Sequence, residues 1–185
     1  MSGKIVLVTG GARSGKSSFA EKYVAALGVP VAYIATAETL DAEMEARVAL
    51  HRARRPSSWQ TYEAPRAAHE VLAAAAAAGA ILFDCLTVYV ANLLLDQSAP
   101  ASPEERHSHI AGEIAKLAAA ASAADATVVF VTNEVGAGIV PDNALAREYR
   151  DLAGLANQQL AAVADEVYLV VSGIPVNIKQ LATTV

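Results

Sequence analysis

Cysteine is nearly absent from this sequence: Cys85 is the only one in 185 residues. A lone thiol excludes an intrachain disulfide framework and fits a reducing compartment. Long apolar runs are missing too, although hydrophobic residues make up 54% of the chain and the mean hydropathy is +0.33. The excess is carried by 42 alanines. The longest apolar candidate, residues 71–83, holds six consecutive alanines and stops at Asp84. That is short of the roughly 18 uninterrupted apolar residues a spanning helix needs. No membrane span is expected. Positive charge in excess is also lacking, since the net charge is −5 and the sequence pI about 5.3. Bulk attraction to nucleic acid or anionic lipid is therefore not expected, and any anion site must be local. The N-terminus runs from Met1 into an apolar segment ended by glycines, without the basic region, long apolar core and cleavage site of a signal peptide. The expected location is the cytoplasm.

No internal repeat is present. The only linker-like stretch, residues 96–103 (DQSAPASP), is too short to separate domains, so a single domain over residues 1–185 is expected. Short β-branched or apolar runs predict strands at 5–9, 31–35, 81–84, 127–132 and 167–171. Helical patterns lie between them at 17–27, 40–55, 66–78, 87–95, 104–124 and 143–164. Strands alternating with helices predict an α/β fold with a mainly parallel sheet, its alanine-rich helices packed closely.

The strongest local signal is Gly10-Gly11-Ala12-Arg13-Ser14-Gly15-Lys16-Ser17, which satisfies G-x-x-x-x-G-K-[ST] between a predicted strand and a predicted helix. Glycines let the backbone curl so that successive N–H groups point inward, and the helix N-terminus adds partial positive charge. Lys16 is placed to reach the β- and γ-phosphates of a nucleoside triphosphate, and the Ser17 hydroxyl to coordinate Mg²⁺. Such a loop does not name the reaction. A guanine signature of the N-K-x-D type is absent, against a switch GTPase. Asp84 ends an apolar strand, where a second carboxylate would sit beside the metal; capping the following helix is an equal alternative from position alone. Glu134 ranks second for the metal.

His51 lies in His51-Arg52-Ala53-Arg54-Arg55-Pro56. On a helix, His51, Arg54 and Arg55 share one face. Basic residues complementing a helix C-terminus explain such a cluster blandly. The functional reading has the arginines clamping phosphates and His51 acting as acid, base or nucleophile. His69, His107 and His109 read as solvated surface residues.

In order along the chain stand VTGGARSGKS (8–17), YIATA (33–37), EMEARVALHRARRPSSWQTYE (43–63), DCLT (84–87), TNEVGAGIVP (132–141), YRDLAGLANQ (149–158) and ADEVYLVVSGIP (164–175). With these motifs the chain resembles the bifunctional adenosylcobinamide kinase / adenosylcobinamide-phosphate guanylyltransferase family of cobalamin biosynthesis. The resemblance implies a P-loop NTPase-type mainly parallel sheet with helices on both faces. It implies phosphorylation of the aminopropanol hydroxyl of adenosylcobinamide by ATP or GTP. GMP would then pass from GTP to a histidine, and from there to adenosylcobinamide phosphate, giving adenosylcobinamide-GDP. By the same matching His51 is that histidine. Ala35, Thr36 and Ala37 would line the nucleotide site, and Arg52, Ala53, Arg54, Arg55, Glu63 and Asp84 would contact GTP. TNEVGAGIVP is equally readable as a wall of the cobinamide pocket or as a structural loop. The resemblance favours a homo-oligomer, with a trimer among the options. A P-loop ATPase or regulatory module, or a kinase for another small alcohol, are the competing readings.

Overall fold

The computed structural model describes residues 3–38 and 55–183. Its elements run β1 (Ile5–Thr9), α1 (Lys16–Ala26), β2 (Val31–Ala35), β3 (Gln60–Glu63), α2 (Ala68–Ala74), β4 (Ala80–Asp84), α3 (Leu86–Leu94), α4 (Pro103–Ala123), β5 (Thr127–Val131), α5 (Ala144–Val163), β6 (Glu166–Val171) and β7 (Ile174–Asn177). Short 3-10 turns follow α2 (Ala75–Ala77) and β7 (Ile178–Leu181). The seven strands form one sheet in the order β3-β2-β4-β5-β1-β6-β7. All pairings are parallel except β6 with β7. The expected helix at 40–55 lies almost wholly outside the described residues.

The strands are apolar almost throughout because both faces are covered. Side chains alternate between faces. Ile5, Leu7, Ile34, Ile81, Phe83, Val128 and Phe130 look toward α2, α3, α4 and α5. Val6, Val8, Tyr33, Leu82, Val129 and Val131 look toward α1, where Ala20 and Val24 are fully buried. Alanine plays two parts. Ala68, Ala75, Ala121, Ala153 and Ala156 pack in the core, whereas Ala73, Ala74, Ala77, Ala115 and Ala119 are exposed. Exposed alanines serve the helices through propensity alone, so the expectation of close-packed alanine faces holds for only part of them. Among the described residues no helix is long and apolar enough to cross a membrane.

Two strands escape the sequence reading. β3 (QTYE) is a four-residue edge strand with no buried residue and no apolar run. β7 (IPVN) carries Pro175, tolerated because β7 is the opposite edge. The β6–β7 turn is Ser172-Gly173, with φ of 51° and 82°. Two consecutive left-handed residues match the right-handed twist of a hairpin, and S-G was the available sequence cue.

Far from the strand C-termini, Glu166 gathers three partners. Lys4 Nζ donates to it at 2.6 Å, the Tyr23 hydroxyl at 2.9 Å and the Tyr168 hydroxyl at 3.2 Å. Burial opposes its charge, but the Lys4 and Tyr23 bonds outweigh burial and hold the carboxyl below its ordinary 4.5. A carboxyl depressed in the folded state stabilises the fold above its unfolded value and loses that contribution as the pH falls through the folded value. Glu166→Gln is therefore expected to cost about 1 kcal/mol at neutral pH after solvent screening. The difference from the parent should shrink in acid, as read from urea midpoints across the pH range. A pH-independent difference would refute the assignment.

Candidate nucleotide site

The phosphate loop is shaped by contacts that leave no room for side chains. A Cβ built on Gly10 would stand 2.4 Å from the Val170 carbonyl oxygen and 2.7 Å from Ser14 Oγ. Gly15 has φ +96°, and its Cβ would meet Gly173 Cα at 3.1 Å. The loop closes through the Ser14 N–H, which donates to the Gly11 carbonyl at 3.3 Å. Behind it, the Gly173 N–H of the β6–β7 turn donates to the Ser14 carbonyl at 2.8 Å. α1 starts at Lys16 with Gly15 as N-cap, no side-chain cap bond and no acidic residue in its first turn. Its first N–H groups and the positive end of its dipole are thus left for an anion.

Lys16 folds back over the loop, its Nζ donating to the Gly11 carbonyl at 3.2 Å. Burial lowers its ammonium below the ordinary 10.5, and the nearby Cys85 and Asp84 oppose that shift. A half-desolvated cation facing a carboxylate is well placed to take up phosphate charge.

Parallel strands deliver their C-terminal ends to one edge, where ligands bind in open α/β sheets. Glu63, Ala35 and Asp84 stand in one row across β3, β2 and β4. Beyond that row the Thr36 hydroxyl accepts the Cys85 N–H at 2.8 Å and donates to the Cys85 carbonyl at 2.9 Å. Asn92 of α3 donates to the Thr36 carbonyl at 2.7 Å, fixing the chain just before Ala37. The Asp84 carboxylate accepts the Tyr33 hydroxyl at 2.7 Å, and the Arg55 guanidinium lies 3.2 Å over the centre of the Tyr33 ring. The structure therefore brings together Gly10, Gly11, Ala12, Arg13, Ser14, Gly15, Lys16 and Ser17 with Ala35, Thr36, Arg55 and Asp84. His51, Arg52, Ala53 and Arg54 lie outside the described residues.

The two roles left open for Asp84 are now separated. Cys85, not Asp84, is the N-cap of α3, and no side-chain cap bond is made there. Glu134 is also near the loop, since its N–H donates to the Gly10 carbonyl at 3.2 Å. Its side chain is exposed and accepts the Gly136 N–H at 3.0 Å, whereas Asp84 is half-buried beside Lys16. In the rest of the TNEVGAGIVP loop, Ile139 is 96% exposed. The Cys85 thiol is pushed up by burial and by Asp84, both of which disfavour the thiolate. His69 is not the solvated residue its helix implied. Its side chain is 23% exposed and its Nδ1 stands 3.6 Å from Glu113, between α2 and α4.

Sequence reasoning missed Tyr33 and a second polar layer beneath the edge. Thr132 Oγ1 donates to Asn157 Oδ1 at 2.6 Å, Asn157 Nδ2 to the Asn133 carbonyl at 3.1 Å, and Asn133 Nδ2 to Thr87 Oγ1 at 3.3 Å. The available signal was polarity itself, with Thr132-Asn133 ending an apolar strand and Asn157 set in a long helix. Among the described residues no group of three His, Cys, Asp or Glu side chains could hold a metal ion. A cation at this edge would rely on few protein ligands and on phosphate oxygens.

Comparison with known proteins covers nearly the whole chain. The family profile described as cobinamide kinase / cobinamide phosphate guanyltransferase matches residues 6–178. The chain is 48% identical over 181 residues to the bifunctional adenosylcobalamin biosynthesis protein CobU of Escherichia coli, covering 95% of this chain and 99% of that protein. The protein of the same name from Salmonella typhimurium is 49% identical, with the same coverage. The bifunctional adenosylcobalamin biosynthesis protein CobP of Pseudomonas aeruginosa is 41% identical over 176 residues, covering 94% and 96%.

Proposed function

The chain belongs to the cobinamide kinase / cobinamide phosphate guanyltransferase family, and from that premise we propose how its residues divide the two reactions. The enzyme phosphorylates cobinamide and transfers a guanylyl group to the cobinamide phosphate. On our reading the substrate is adenosylcobinamide. Its aminopropanol hydroxyl attacks the γ-phosphorus of ATP or GTP, and the nucleoside diphosphate leaves. In the second reaction His51 attacks the α-phosphorus of GTP, a P–N bond forms, and pyrophosphate leaves. A phosphate oxygen of adenosylcobinamide phosphate then attacks the same phosphorus. The P–N bond breaks, adenosylcobinamide-GDP leaves, and His51 is restored. A neutral imidazole is nucleophilic near neutral pH, and its phosphoramidate is reactive enough to pass GMP on.

The loop N–H groups, the α1 N-terminus and Lys16 hold the phosphates and stabilise charge on the oxygens being displaced. Arg52, Arg54 and Arg55 clamp the triphosphate next to His51, with Ala53 between them. Ala35, Thr36, Ala37 and Glu63 border the nucleotide. The observation that carries this reading is the position of Arg55, the end of the H-R-A-R-R stretch, over the ring of Tyr33, whose hydroxyl donates to Asp84. The Ser17 hydroxyl and the Asp84 carboxylate fit a divalent metal, which we take to be Mg²⁺. A hard cation that keeps waters and phosphate oxygens needs only one or two such ligands. When bound, Mg²⁺ would neutralise charge on the phosphates.

We read the protein as one domain acting in the cytoplasm. A homo-oligomer, with a trimer as one form, agrees with the exposed apolar residues Val171, Ile174, Val176 and Leu181 along the β7 edge. A P-loop ATPase, a regulatory module or a simple alcohol kinase would not explain similarity to bifunctional enzymes along nearly the whole chain. The deciding experiment supplies GTP labelled at the α- or the γ-phosphate with Mg²⁺. The α-label is expected to become bound to protein in an acid-labile, alkali-stable form, and the γ-label is not. Absence of covalent α-label would overturn the histidine route.

A further inference from the structure

We propose that Tyr33 is a positioning residue shared by the two parts of the site, its hydroxyl fixing the Asp84 carboxylate and its ring seating the Arg55 guanidinium. This rests on the assignment of Asp84 and Arg55 to the nucleotide site. Tyr33 sits mid-strand in β2, between β3 and β4, and is 2% exposed. Packing alone would be served by phenylalanine. The hydroxyl donates to Asp84 at 2.7 Å, a charge-assisted bond that holds the carboxylate in one orientation. An ordinary phenol keeps its proton at neutral pH, so the hydroxyl is available as a donor there.

The ring face does separate work. The Arg55 guanidinium lies 3.2 Å from its centroid, within cation–π range. Stacking by the flat face leaves the in-plane N–H groups free to bond an anion at the ring's edge. Arg55 Nε is buried and has no hydrogen-bond partner among the described residues. A buried guanidinium donor without a partner is costly, and a phosphate oxygen would satisfy it. The two contacts also support each other. Donation to a carboxylate enriches the ring in electron density, which strengthens its hold on the cation.

The hydroxyl acts at the phosphate loop, which both reactions use, while the ring acts on the arginine block that guanylylation uses. Two variants separate these functions. Tyr33→Phe keeps the ring and should slow phosphorylation and covalent GMP attachment alike, by roughly ten-fold in kcat with nucleotide KM little changed. Tyr33→Leu removes the ring as well, and should slow GMP attachment at least ten-fold further while leaving phosphorylation at the Tyr33→Phe level. A Tyr33→Phe enzyme equal to the parent, or a Tyr33→Leu enzyme slowed equally in both steps beyond Tyr33→Phe, would overturn the proposal. If Tyr33→Leu does not fold, Tyr33→Phe combined with Asp84→Asn decides. The double variant should be no slower than Asp84→Asn, because the hydroxyl acts through that carboxylate; additive losses would refute it. Asp84→Asn and Arg55→Gln alone test the underlying assignment. If neither affects either reaction, the site reading fails; if both do and the Tyr33 variants do not, only the Tyr33 role fails.

Discussion

Lys16→Ala should slow both reactions by roughly 10²–10³-fold, the cost of removing one preorganised charge aimed at a transition state, or about 3–4 kcal/mol. The size follows from where the ammonium sits. It is held over the loop by the Gly11 carbonyl, half-buried, and opposite Asp84. In such a setting a charge interacts more strongly with phosphate than it would in water. Charge builds on the bridging oxygen in the kinase step and on pyrophosphate in the guanylyl step, and in the proposed assignment the same cation would meet both. The loss should fall mainly on kcat/KM for the nucleotide. Thermal stability of the nucleotide-free protein should hold steady or rise slightly. Burial disfavours the charged lysine in the folded state, so its removal takes away an unfavourable contribution. Lys16→Arg should not restore activity, because a planar guanidinium does not replace a compact ammonium inside a tight loop. Nucleotide titrations and single-turnover assays of each step check this. A folded Lys16→Ala protein with parental rates in either reaction would remove Lys16 from that reaction.

The second large effect is qualitative. His51→Ala should abolish covalent attachment of GMP, because no P–N bond can form, while phosphorylation of cobinamide stays within about three-fold of the parent. Phosphoryl transfer relies mainly on positioning and electrostatics, which the loop supplies without His51. The product of the first reaction should therefore accumulate when GTP and cobinamide are supplied together. Label persisting in the variant would move the nucleophile elsewhere. Loss of phosphorylation in a folded variant would mean that the two reactions share more than the loop.

The phosphate loop was legible in the sequence because its chemistry demands residue types at fixed spacing. Gly10 and Gly15 stand where a Cβ would collide with Val170, Ser14 or Gly173. The central strands were legible because both their faces are buried, which forces a continuous apolar run. β3 and β7 were not, because an edge strand with exposed side chains leaves no such record. The Tyr33 contacts were out of reach for another reason. Tyr33, Arg55 and Asp84 are distant in sequence, and only the register of β2 against β4, with Ala35 opposite Asp84, brings tyrosine and aspartate together. Asp84 itself was legible as a strand-ending acid. Its separation from helix capping needed the structure, since Asp84 and Cys85 differ by one position.

The hydrogen bond from Gly173 to the Ser14 carbonyl ties the β6–β7 turn to the back of the phosphate loop. A ligand that binds only the closed loop must then also shift the equilibrium against opening of this hairpin, and the opened form must hold that ligand more weakly by the same factor. The last strand of the sheet, far along the chain from Lys16, is in this way a partner in the affinity of the first loop. Shortening the protein after Val171 would remove no residue assigned to the nucleotide, yet the loop would lose the backstop against which its curvature is set.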